Sequence, residues 1–439
     1  MLRKNTSRSS PAFLALKLLI LWIVIAPTPT SAAYYLTKVE NHPVKISIRM
    51  TLQSSIHVHK LAPRGVEWGL ASQVSRPRCN GKPLKQNAEG EWVSPAGCKE
   101  IYWTVDLPDI VNNDYLASTQ QSIHLPKPGW SLLSEPSSLL RVKGDKSASF
   151  IKSADPSIRL IGAKKLTGDT WKIPSESSAP EFFVINTSNV NRVQLNGLDV
   201  NYISDNTDLV ERLQLNDMHA KVLGALSDIL KLKSKLENRR ESVLVVWIGI
   251  DKRLRGINGA AGHRSFVANY IIDDDPNESI NRYRAMMVIA HEQFHQLVDM
   301  TRTRNNSLPN WVSESLAQYY ALHVLAKIAG SPETQRIKSE FIKPDADYKL
   351  GLLELDRKNQ AGDRSLYHLF YEQGATFWQA IDETLRESKE FPDGLDSVIN
   401  DLLSMDFPKN GSLPPDFIGK IRHADEKRLD DILNKYIGT

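Results

Sequence analysis

Two hydrophobic periods divide the chain. Val44, Ile46, Ile48, Met50 and Leu52 alternate with Lys45, Ser47, Arg49 and Thr51, and Ile101, Trp103 and Val105 alternate in the same way. Period two sends successive side chains to opposite faces of a strand, so both runs predict strands with one face in a core. Asn80-Gly81-Lys82-Pro83 and Pro126-Lys127-Pro128-Gly129 supply turns between such runs. From about residue 34 to 180 the pattern predicts a β-sandwich-like module, and the Pro174 to Pro180 stretch marks its boundary. Beyond it the period lengthens. Leu209, Leu213, Val222, Leu226, Ile229 and Leu232 recur at helical spacing in one long pattern over 208–238. Val243 to Ile250 then predicts a buried strand, and from residue 279 onward the chain reads as mostly helical. The expected fold is α+β and multidomain. A β-rich domain over 34–180 precedes a mainly helical domain with a small sheet over 181–439, which ends in a short helical tail around 395–405 and 428–437.

Composition changes this picture at the N-terminus. Arg3, Lys4 and Arg8 precede an apolar run from Phe13 to Ala26, interrupted by Lys17, and small residues lead to Ala32 and Ala33. This predicts a signal peptide over 1–33 and export to a periplasm or the cell exterior. The run is about 14 residues, short of the roughly 20 that span a bilayer. No stable membrane insertion is expected after cleavage; the alternative is an uncleaved anchor. The chain carries 55 basic and 51 acidic residues, and four of the bases (Arg3, Lys4, Arg8 and Lys17) lie in this acid-free segment. The remainder is formally neutral. Bulk charge gives no sign of the basic surface that nucleic-acid binding needs, and no such partner is expected. Cys79 and Cys98 are the two cysteines. In an exported chain an even pair predicts a disulfide contributing about 2–4 kcal/mol. His57 and His59 share one strand face, but with no third ligand nearby they read as surface residues.

The chemistry sits in His291-Glu292-Gln293-Phe294-His295. Asp275, Pro276 and Glu278 form a helix start, and Met286 to Ala290 is apolar all round, which predicts a buried helix. Positions i and i+4 share one helix face, so both imidazoles can reach one metal, with Glu292 beside them as a base. Burying two histidines is costly unless something satisfies them, and a metal does so. Glu314 follows His295 by 19 positions on a second helical pattern. Pro309 suits its start, Gly330 and Pro332 its end, and Asn305, Asn306 and Ser307 the loop before it. Two histidines and one glutamate leave a fourth zinc position open, so one catalytic Zn²⁺ per chain is expected.

This spacing resembles the gluzincin metallopeptidases, in particular the aminopeptidase N-like and glycyl-aminopeptidase-like enzymes. They share H-E-x-x-H, an 18-residue gap and a ligand glutamate, here set in Trp311-Val-Ser-Glu314-Ser. The resemblance is specific over about residues 243–380 and implies a thermolysin-like catalytic domain behind a β-rich one. It also implies an oxyanion-stabilising tyrosine in a Tyr-x-x-Gly stretch, matched by Tyr371-Glu-Gln-Gly374. The alternatives for Tyr371 are a packed residue at a helix start, with Tyr367 and His368 in its place. The family's amine-gripping glutamate is not matched. Gly259-Ala-Ala-Gly262-His263 stands at that distance, with Gly262 at the glutamate position. Gly262 and His263 are thus the expected substrate-binding positions, His263 either facing substrate or packing, and the main argument for aminopeptidase specificity is gone. Gln318 and Asp299, each one turn past a ligand, are candidate acceptors behind the imidazoles. The expected function is an exported zinc-dependent hydrolase of peptides or proteins, with Glu292 as general base toward zinc-activated water. The alternatives are a non-catalytic zincin-like peptide or partner binder and an aminopeptidase with relocated amine recognition.

Overall fold

The structure is a computed structural model that describes residues 33–438, apart from short segments at 42–43, 53–56, 66–71, 111–113, 177, 237–240, 252, 254–256, 273–277 and 303–307. The expected signal, the helix start at Asp275 and Pro276, and the loop at 305–307 lie outside the described residues. The architecture is α+β: β-sheets come first and a mainly helical region follows.

Period two in the sequence becomes strands Val44–Leu52 and Glu100–Asp106, which pair antiparallel with Ile48 opposite Trp103. They sit inside an eight-stranded sheet that also contains Ala33–Asn41 and Ser149–Ser153. Two four-stranded sheets accompany it, and Phe182–Ile185, past Pro180, still pairs within one of them. Their inward faces bury Tyr35, Ile48, Trp103, Trp130 and Phe182 in one core. The Cys79–Cys98 disulfide forms at the rim of the large sheet, with a sequence separation of 19.

This core also holds a charge cluster. Glu135 is fully buried between Arg64, whose Nε lies 2.8 Å from Oε1, and Arg141. Two guanidiniums make burial of the carboxylate tolerable. Glu181 lies next to it, its backbone N–H donating to Glu135 Oε2 (2.8 Å) and its carboxylate accepting from the Ser265 hydroxyl. Burial pushes the Glu181 carboxyl up to about 8.

A five-stranded sheet opens the helical region. Its order is Asn191–Leu195, Leu198–Ser204, Glu241–Ile250, Ser265–Ile271 and Gly259–Ala261, with the last at an edge. The predicted strand at 243–250 is its centre and is buried on both faces. The 208–238 pattern forms three helices rather than one: Thr207–Arg212, Leu215–Ile229 and Leu232–Leu236. Gln214 (φ 55°) and Lys231 (φ 52°) take left-handed backbone at the two breaks. The break lets Leu215, Val222 and Leu226 all enter the core while the axis turns.

Helix Glu278–Thr301 carries the H-E-x-x-H motif and packs on this sheet and on helix Asn310–Ala329. Pro309 precedes the second helix, and Gly330 ends it with φ 57°, a conformation glycine adopts without penalty. Helix Leu369–Glu387 closes on the other side of Asn310–Ala329. The tail helices, including Ile399–Ser404 and Glu426–Tyr436, bury Leu402, Leu429 and Ile432 against the same core. Among the described residues no helix is long and apolar enough to cross a membrane.

Candidate metal centre and its cleft

The two predicted helices bring three predicted ligands to one point. His291 Nε2 lies 3.1 Å from His295 Nε2 and 3.2 Å from Glu314 Oε2, and His295 Nε2 lies 3.7 Å from the same oxygen. Among the described residues this is the one His/Cys/Asp/Glu group compact enough for a metal ion, its donor atoms all within 4.8 Å of one another. Ligands about 2.0–2.1 Å from a tetrahedral zinc stand roughly 3.3 Å apart, so the donor set fits that ion. Two ring nitrogens facing each other across 3.1 Å, with a carboxylate beside them, make a compact donor set that a cation could bridge.

The electrostatics agree. Burial alone would raise the Glu314 carboxyl, but His295 and His291 outweigh it and hold it well below the usual carboxylate range. Burial disfavours a charged His295 ring, yet Glu314 beside it raises that ring overall. Glu292 points into the same cleft, and burial raises its carboxyl, with the Glu314 charge adding to the rise. His291, His295 and a hydrogen bond from the Ala261 backbone act in the opposite sense. A carboxylate raised in this way is a stronger proton acceptor than a solvated one.

The acceptors behind the imidazoles are not those expected. Ser313 Oγ, not Asp299, lies 3.2 Å from His295 Nδ1. Asp299 instead pairs with His263 Nδ1 at 2.8 Å and with Arg264 at 3.5 Å. Gln318 donates to Met287 Sδ rather than to Glu314. His291 Nδ1 is buried without a partner among the described residues.

Helix packing explains the Tyr-x-x-Gly stretch. Tyr371 lies with its ring centroid 5.4 Å from that of His291, and it lines the cleft together with Tyr367. A Cβ on Gly374 would stand 2.3 Å from Ser315 Cβ, so only glycine lets helix Leu369–Glu387 approach this closely. Trp378 Nε1 locks the contact with a 2.7 Å hydrogen bond to Ser315 Oγ.

The cleft has a volume of about 660 Å³. The edge strand Gly259–Ala261 forms one wall, while Gly262 and His263, the expected substrate-binding pair, are not among the lining residues. Gly262 is packed under Pro180, whose oxygen would be 2.4 Å from an added Cβ, and the His263 ring is taken by Asp299. Gly259 meets the motif helix, an added Cβ lying 2.9 Å from Val288 and 3.4 Å from Glu292 Cγ.

The β-rich region supplies lining residues that sequence reasoning missed, Ser118 and Gln120. Asn269 and Asn258 pin the turn that carries them. Asn269 Oδ1 accepts from Ala117 N (2.8 Å), and Asn258 Oδ1 accepts from Ser118 N (3.1 Å). The available signal was Asn269 itself, a polar residue in the apolar run Phe266-Val-Ala-Asn269-Tyr. Arg364 and Asn359, also unforeseen, line the same cleft.

This fold is similar to that of known aminopeptidases. It superposes on an aminopeptidase N family protein from Idiomarina loihiensis with a TM-score of 0.62 at 12% identity, covering 84% of this chain and 70% of that one. It also matches Legionella pneumophila aminopeptidase A, solved in complex with aspartic acid, with a TM-score of 0.52 at 14% identity over 93% of this chain. The chain spans about half (49%) of the Legionella protein. No family model matches the sequence, and no curated protein matches it significantly. The chain therefore has the aminopeptidase N-type fold with a three-residue candidate zinc site in the cleft.

Proposed function

We propose that the protein is an exported zinc-dependent peptidase. The observation that carries this reading is Glu292: a partly buried carboxylate set beside a His291–His295–Glu314 donor set, facing an open cleft. A structural metal site has no use for such a base. Bound by those three residues, zinc would supply a Lewis acid that acidifies a water molecule and polarises a peptide carbonyl.

The chain's own groups do the rest. Glu292, held by the Ala261 backbone, accepts the water's proton at its carboxylate and delivers it to the leaving amine. Tyr371, fixed against His291 by the Gly374–Ser315 contact, directs its phenol toward the developing oxyanion. The edge strand Gly259–Ala261 walls the cleft and receives an extended peptide alongside it. The Legionella relative was solved with an amino acid bound, which accords with a peptide substrate. The disulfide accords with an oxidising compartment.

Glu292→Gln tests the reading. The variant should keep stoichiometric zinc by elemental analysis and lose peptide hydrolysis by about 10²–10⁴-fold, the usual size of a general base contribution. Wild-type protein without zinc, or a variant as fast as wild type, would overturn the mechanism.

A further inference from the structure

The cleft wall carries a cation that no acid answers. Apart from the two histidines, the charged side chains lining it are Glu292, Glu314 and Arg364. Glu314 is committed to the histidines and Glu292 to the Ala261 backbone. Arg364 has a side chain exposed to solvent, with no ion-pair or hydrogen-bond partner among the described residues. Its backbone is nevertheless fixed. It sits in the turn between helices Leu352–Gln360 and Leu369–Glu387, where Ser365 N donates to Asp363 Oδ1 (3.1 Å) and Tyr367 N donates to the Arg364 carbonyl (3.1 Å).

The wall around Arg364 is otherwise uncharged: Asn359, Tyr367 and Tyr371 line the same cleft. It thus presents one site for an anion, and a free carboxylate supplies one. The lining segment 257–261 holds no acid, so nothing there is arranged for an ammonium group. A divalent cation held by His291, His295 and Glu314 would offset the two glutamates and leave Arg364 as the uncompensated charge on the wall.

We propose that Arg364 is a specificity-determining residue that binds a substrate carboxylate, so that the cleft prefers peptides carrying one. This rests on the peptidase reading for its consequence in turnover, but not for the binding itself. A guanidinium engages a carboxylate through two parallel hydrogen bonds, and bound peptide excludes water from the pair.

The test uses peptides of one sequence, with a free or amidated C-terminus and with Glu or Gln at each internal position. Hydrolysis is measured for wild type, Arg364→Met, Arg364→Lys and Arg364→Glu. Binding of the same peptides to the Glu292→Gln protein, with and without Arg364→Met, is measured by calorimetry. Carboxylate peptides should be preferred by about tenfold or more in kcat/KM and in affinity. Arg364→Met should erase the preference, Arg364→Lys should restore part of it, and Arg364→Glu should invert it. The amidated and Gln series show whether the terminal or a side-chain carboxylate is read. Equal handling of all peptides, or a preference that survives Arg364→Met, overturns the proposal even if hydrolysis is observed. A preference seen in binding without hydrolysis upholds Arg364 and overturns the peptidase reading instead.

Discussion

Gly374→Ala adds one methyl group where the structure has no room for it. The new Cβ would stand 2.3 Å from Ser315 Cβ and 3.3 Å from Ser315 Cα. Carbon atoms in contact rest about 3.5–4.0 Å apart, so the two helices must separate locally by roughly 1.2–1.7 Å. Neither side yields easily, because Ser315 is fully buried and tied to Trp378, itself fully buried. Overpacking of this kind costs about 1–3 kcal/mol of stability. The displacement also reaches the chemistry. Glu314 is the residue before Ser315, and Tyr371 lies about 4.5 Å along the helix axis from Gly374. A misplacement near 1 Å costs on the order of 100-fold in rate. Urea denaturation should therefore show the stability loss, zinc titration a weaker metal, and peptide hydrolysis a kcat lower by about two orders of magnitude. Ser315→Gly removes the opposing Cβ, although it forfeits the Trp378 hydrogen bond. The double variant should be more stable than the sum of the singles by about 1 kcal/mol or more, the signature of residues in contact. Wild-type stability and kcat in Gly374→Ala, or strict additivity in the cycle, would refute the packing account of the Tyr-x-x-Gly stretch.

Two further outcomes follow from buried polar groups. Burial places the Glu181 carboxyl at about 8 in the folded chain, against 4.5 ordinarily. Between these values the folded protein holds a proton that the unfolded chain has released, so this stabilisation is complete below about 4.5 and is lost as pH rises through about 8. Urea midpoints from pH 5 to 9 should therefore fall, and the isosteric Glu181→Gln should flatten the profile; an unchanged slope counts against the assignment. His219, pushed down to about 4 by burial, accepts from Tyr202 OH (2.6 Å) and donates to Gln293 Oε1 (3.0 Å). His219→Phe strands both partners inside the core and should cost about 2–6 kcal/mol at roughly 1–3 per unsatisfied group. A loss below about 1 kcal/mol by urea denaturation would show that the pair does not hold the motif helix to the sheet.

The site's ligands were legible because they obey local rules. His291 and His295 are one turn apart on one helix face, and the short loop and 18-residue gap before Glu314 point to the next helix for the third. The strands at 44–52 and 100–106 were legible for the same reason, with period two read directly as alternating burial. What failed depended on tertiary context. Periodicity could not reveal the breaks at Gln214 and Lys231, because both halves keep the same apolar spacing while the axis turns. Asp299 was a fair candidate behind His295 by spacing, but His263 and Arg264, in the turn between strands Gly259–Ala261 and Ser265–Ile271, claim it. Arg364 and Gln120 reach the cleft from turns far away in sequence, and no local pattern encodes that meeting.

The strand Glu241–Ile250 explains how distant turns come to share one cleft. Its alternate residues serve different cores: Val243, Val245 and Trp247 join the helical core, and Leu244, Val246 and Ile248 join the β-rich one. Ser265–Ile271 divides likewise, with Phe266 and Ala268 on one side and Val267 on the other. The sheet is therefore a shared wall rather than the boundary of either region. Such a wall cannot shift relative to one core without disturbing the other, since interiors are close-packed. Asn269 adds direction to this coupling. Its amide bridges the Ile248 carbonyl inside the sheet (3.1 Å), the Tyr115 carbonyl (3.1 Å) and the Ala117 amide of the turn that carries Ser118 and Gln120. A buried side-chain amide with three partners is worth most when every partner is in place, so the turn is held in a single position over the edge strand. The cleft is fixed from both sides: by the motif helix on one face of the sheet and by an asparagine-tethered turn on the other.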